Sequence, residues 1–71
     1  MEIMNPLKEH LDKNSIPYET IHNDVKVFGK KEWTLVHPSN TEPIIRIITE
    51  AKTEERTEEL VKEMDQTISN L

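Results

Sequence analysis

A chain of 71 residues has room for one small domain and one core, and without cysteine, and with its three histidines scattered, it has no disulfide or zinc staple to hold that core. A formal net charge of -5, from 9 basic and 14 acidic residues, argues against a nucleic-acid or anionic-membrane partner, because a phosphate-lined surface repels it. No apolar run approaches the ~20 residues of a membrane span, and Met1-Glu2-Ile3-Met4 lacks the basic stretch of a secretion signal, so the expectation is a soluble cytoplasmic protein.

Taken in order, Asn5-Pro6 reads as a helix opening, with Asn as cap and Pro at the first helical position. Leu7 and Leu11, four apart, give that helix an apolar edge, and Asn14-Ser15 followed by Pro17 ends it. Tyr18 to His22 alternates loosely, as a strand or an extended connection. Asn23-Asp24 marks a turn before Val25-Lys26-Val27-Phe28, which has strand composition. Gly29, the sole glycine, begins a polar reversal through Lys30, Lys31 and Glu32, and Trp33 to Val36 runs back as a hairpin. Ile44 to Thr49 is the strongest strand, with Ile45 and Ile47 on one face and Ile44, Arg46 and Ile48 on the other. Thr53 is placed to cap a long helix whose Leu60, Val61, Met64, Ile68 and Leu71 fall on one side, with Glu54 and Glu55 at its positive end. Helix, strands, helix predicts an α+β fold: an antiparallel sheet with its helices on one face.

Between the last two strands lies His37-Pro38-Ser39-Asn40-Thr41-Glu42-Pro43. Ser39 and Thr41 offer hydroxyls, Asn40 an amide, and the two prolines leave few conformations to freeze, so the loop suits the oxygens of an anion. The same residues are also ordinary turn formers. Arg46 is either a fork-shaped donor for phosphate or the partner of Glu50 or Glu42. His37 is either an exposed histidine or, when protonated, a second cation for the anion. Glu42 has to face away from any bound phosphate or pair with a cation. His22 and Asp24 make an acid/base or metal pair that nothing completes, and Trp33 suits packing better than sugar stacking. Neither a nucleophilic triad, a glycine-rich phosphate loop nor a zinc spacing is present, so no self-sufficient active site is expected.

The run Trp33-Thr34-Leu35-Val36-His37-Pro38-Ser39-Asn40-Thr41-Glu42-Pro43-Ile44-Ile45-Arg46-Ile47, with Glu50-Ala51 after it, resembles the C-terminal domain of the α-D-phosphohexomutases. These include phosphoglucomutase/phosphomannomutase and phosphoglucosamine mutase. The resemblance spans roughly residues 23 to 68 and implies a TATA-box-binding-protein-like sheet of four strands covered by two helices. It further implies that residues 1–71 are one domain of a longer enzyme. A phosphoserine in another domain of that enzyme exchanges phosphoryl groups with a hexose phosphate, assisted by Mg2+. The last domain would hold the phosphate that is not reacting, through Ser39, Asn40 and Thr41, with Arg46 and His37 beside them. No catalytic residue, metal ligand or cofactor falls to this chain itself, which alone is expected to be inactive. Two positions depart from the resembled pattern: His37 stands where the family has arginine, and Asn23-Asp24 where it prefers Asp-Gly. The competing expectations are a free-standing interaction module and a degenerate homologue that no longer binds phosphate.

Overall fold

A computed structural model describes residues 3–39, 41 and 44–71. Helix α1 spans Met4–Lys13, strands β1 to β4 span Tyr18–Ile21, Asp24–Gly29, Glu32–Pro38 and Ile45–Glu50, and helix α2 spans Glu54–Ser69. The strands pair antiparallel in the order β1-β2-β3-β4, which leaves β1 and β4 at the edges. This is the expected α+β arrangement, and the uncertain Tyr18 to His22 segment supplies its fourth strand.

The core forms because strand alternation and helix periodicity converge on one side of the sheet. Val25 pairs with Val36, and Val36 with Ile47, across three neighbouring strands. Leu7 and Leu11 of α1 and Met64 of α2 pack with Val25 and Val36, flanked by half-buried Tyr18, Val27, Ile45, Ile47 and Ile68. Leu7, Val25 and Val36 have no exposed surface at all. Each such side chain contributes about 1.5–3 kcal/mol relative to exposure, which is how so short a chain holds a core without a staple.

Local details differ from expectation for identifiable reasons. Helix α1 begins at Met4, with Ile3 in the cap position and no side-chain cap bond. Asn5 therefore lies inside the first turn, as does Pro6, where its missing N–H costs nothing. At the other end Ser15 takes a left-handed conformation (φ 53), the Ser15 amide donates to Asp12 O, and the Ile16 amide donates to Leu11 O at 2.9 Å. This Schellman closure swings Ile16 back onto Leu11. The first hairpin turns at His22-Asn23 rather than Asn23-Asp24, since Ile21 pairs with Asp24 and His22 adopts φ 54.

In the second hairpin Lys31, not Gly29, takes the left-handed conformation (φ 60). Gly29 instead makes room: a Cβ there would stand 2.8 Å from Cγ of Glu32. Glu32 uses that room to receive the Arg56 guanidinium, Nε at 3.0 Å from Oε1 and Nη2 at 2.7 Å from Oε2. The fork clamps the first turn of α2 to the start of β3. Hydrogen bonding to Arg56 holds the Glu32 carboxyl below its ordinary 4.5, and the same bond raises the guanidinium pKa. Thr53 caps α2 as expected, its hydroxyl accepting from the Arg56 amide at 3.1 Å. The apolar stripe of α2 is narrower than predicted: Leu60 and Met64 are buried, but Val61 is 37% and Leu71 44% exposed. A helix resting on a sheet covers only the residues facing it; Val61 lies a hundred degrees round from Leu60, and Leu71 lies past the helix end.

Candidate phosphate site

The other face of the sheet carries no helix, and its outward side chains fall in rows set by the strand register. Across the middle lie Lys26, Leu35 and Ile48, and at the far end Phe28, Trp33 and Glu50. Arg46 pairs with His37 in the row nearest the 39–44 loop. One step beyond the Val25–Val36 pair, Asp24 comes opposite His37 on its other side.

The side chains of that last row interact. His37 Nδ1 lies 2.7 Å from Asp24 Oδ1, with the histidine side chain 45% and the aspartate 21% exposed. Arg46 is exposed next to them and, among the described residues, is in no ion pair. Its expected pairing with Glu50 does not form, because four residues along a strand span ~13 Å. Glu50 instead accepts from the Trp33 indole at 2.7 Å, and Lys26 Nζ stands 4.6 Å from the Trp33 ring centre. Trp33 thus serves packing, two rows away from the loop. Nor do His22 and Asp24 form the pair considered from sequence: His22 is an exposed turn residue, and Asp24 is turned to His37.

The loop begins with the Ser39 amide donating to Ile44 O at 3.0 Å. Within it, the Thr41 amide donates to the Ser39 hydroxyl at 3.4 Å, and the two hydroxyl oxygens are also 3.4 Å apart. Contacts of this length are weak. Ser39 is half-buried and Thr41 exposed. Asn40, the amide of the predicted grip, lies outside the described residues, as do Glu42 and Pro43. The loop carrying Ser39 and Thr41 thus joins β3 and β4 at the end of the sheet where His37 and Arg46 pair. Asp24 was not foreseen as their companion. The hairpin register could have found it: closing the turn at Lys30-Lys31 puts residue 24 opposite residue 37.

A depression of about 220 Å³ lined by Leu11, Val27, Arg56 and Met64 lies between helices and sheet, away from this loop. No group of three or more acidic, histidine or cysteine side chains that could hold a metal exists among the described residues. No helix among them is long and apolar enough to cross a membrane.

Comparison with known proteins gives a consistent result. The model of the family described as phosphoglucomutase/phosphomannomutase, C-terminal domain, matches residues 3–67. A phosphoglucosamine/phosphogalactosamine mutase of Sulfurisphaera tokodaii is 44% identical over 63 residues, which is 89% of this chain and 14% of that protein. A probable phosphoglucosamine mutase of Methanopyrus kandleri is 41% identical over 59 residues, 83% of this chain and 13% of that protein. A phosphopentomutase of Thermococcus kodakarensis is 46% identical over 39 residues, 55% of this chain and 9% of that protein. The chain thus spans about 14% of the length of the first of these relatives. No solved structure matches it significantly.

Proposed function

The chain belongs to the phosphoglucomutase/phosphomannomutase family as its C-terminal domain, and on that premise we propose that it holds the unreacting phosphate of a sugar phosphate for a larger cytoplasmic mutase. Ser39, Asn40 and Thr41 donate to the phosphate oxygens, while Arg46 and protonated His37 supply charge from the adjoining sheet row. The supporting observation is that the loop carrying Ser39 and Thr41 joins β3 and β4 at the end of the sheet where His37 and Arg46 pair. Charge-assisted hydrogen bonds of this kind contribute about 1.5–3 kcal/mol each. Made far from the reacting phosphoryl group, they fix the sugar's orientation and so lower the barrier of the transfer. Residues 1–71 then act as one domain, and the phosphoserine and Mg2+ belong to the remaining domains of the enzyme. Alone, the chain has no mutase activity.

The names of the relatives favour an amino-sugar phosphate, with a pentose phosphate as competitor. Exposed Ile21, Phe28 and Ile48 on the open face favour a second reading, an interaction module whose loop merely turns. An NMR titration of the chain with glucosamine 6-phosphate decides between them. The expected result is saturable shifts at Ser39, Asn40, Thr41, His37 and Arg46. Undisturbed loop signals at about tens of millimolar ligand, weaker than any useful affinity, would leave the module reading.

A further inference from the structure

Building on the phosphate reading, we infer that Asp24 is a positioning residue that sets the tautomer of His37 and thereby couples anion binding to uptake of a proton. Asp24 and His37 face each other across β2 and β3 and touch at 2.7 Å. A carboxylate can only accept, so the hydrogen in this contact sits on His37 Nδ1. In the neutral ring the remaining nitrogen, Nε2, then carries a lone pair and repels a phosphate oxygen. Only the imidazolium presents Nε2–H, and it forms by taking one proton from solvent while Nδ1–H stays on Asp24. An arginine at position 37 would donate at any pH. The Asp24–His37 pair donates only after protonation.

The surroundings of His37 are compatible with this role. Arg46 flanks it on β4, Asp24 on β2, and Lys26 stands one row away. The helices pack against the opposite face, through Leu7, Leu11 and Met64 on Val25 and Val36. Bringing an anion between His37 and Arg46 relieves the repulsion of two adjacent cations, so ligand and proton favour one another. The ring is open enough to meet a solute, while Asp24 is the better shielded of the two.

The test separates ring chemistry from ligand binding. Nitrogen-15 NMR of His37 in the free chain, at alkaline pH where the ring is neutral, is expected to show the Nδ1–H tautomer. Asp24→Asn, whose amide can also donate to Nδ1, is expected to let Nε2–H appear. Binding is then followed with glucose 6-sulfate, an anion whose own charge is constant between about pH 5.5 and about pH 8.5. Affinity of the unaltered chain is expected to fall about tenfold or more over that range, the worth of one charge-assisted hydrogen bond. Asp24→Asn should flatten the dependence, and His37→Arg should abolish it while keeping affinity high. An Nε2–H tautomer in the unaltered chain, or a pH slope unchanged in Asp24→Asn, overturns the inference. Absence of sulfate and phosphate binding at every pH, with the Nδ1–H tautomer present, overturns instead the phosphate reading on which the proton coupling depends.

Discussion

Val36 and His37 are neighbours in sequence and lie on opposite faces of the same strand. Val36 has no exposed surface and packs among Leu7, Leu11, Val25 and Met64, whereas His37 faces solvent in a row of charged side chains. The inner face is apolar wherever it meets a helix, and stability comes mainly from there. The outer face mixes Lys26, Arg46 and Glu50 with half-exposed apolar groups, an arrangement that adds little to folding. Residues on it can change for binding without loss of the fold, because the opposite side of each strand carries the packing.

Substitutions on the two faces should therefore have different effects. Leu7→Ala is expected to have the largest effect, about 2–5 kcal/mol from lost burial and a cavity. For a domain this small that removes a large part of the total stability. Urea denaturation measures it, and a midpoint like that of the parent chain would mean the core is not where the structure has it. On the outer face, Arg46→Gln should weaken glucosamine 6-phosphate binding about 10- to 100-fold. Its thermal midpoint should stay close to that of the parent, a surface exchange being worth about ±0.5 kcal/mol; a large drop in both would put Arg46 in the fold rather than the site.

The smallest expected effect concerns the clamp between Glu32 and Arg56. The folded-state carboxyl is held below its ordinary 4.5, so the unfolded chain binds the proton more readily. The clamp's contribution is complete above that ordinary value and is lost as the pH falls through the lowered folded value. In Glu32→Gln the acid limb of a stability-against-pH curve should be shallower, with the two curves drawing together at the lowest pH. Parallel acid limbs would show that the fork contributes nothing to stability.

Much of this was legible in the residues because it was local. The alternation of Ile45 and Ile47 against Arg46 and Ile48 predicts both faces of β4, and Thr53 before two glutamates predicts the cap of α2. The errors are of two kinds. Asn5 is a good capping residue and Asp24 a good turn residue, but Ile3 holds the cap and the turn falls on His22-Asn23 with Asp24 in β2, because strand pairing and helix packing outweigh single-residue preference. The width of the α2 stripe and the fate of Val61 depend on elements distant in the chain, and the meeting of Asp24 with His37 on the register of the β2–β3 hairpin. The loop residues Ser39 and Thr41 could be picked out as donors beside His37, but the pairing of Arg46 with His37 follows only from the register of β3 with β4.

Because β4 borders the sheet, one side of its backbone offers amides and carbonyls to any extended chain that comes alongside. Its sequence, rich in isoleucine, is well suited to such addition. Arg46 and Glu50 interrupt that run with charge, which disfavours strand addition between copies. Replacing Arg46 with a neutral residue would therefore favour strand-to-strand oligomers at high concentration, and Arg46→Lys, which keeps the charge but not the fork, is the variant that separates solubility from recognition.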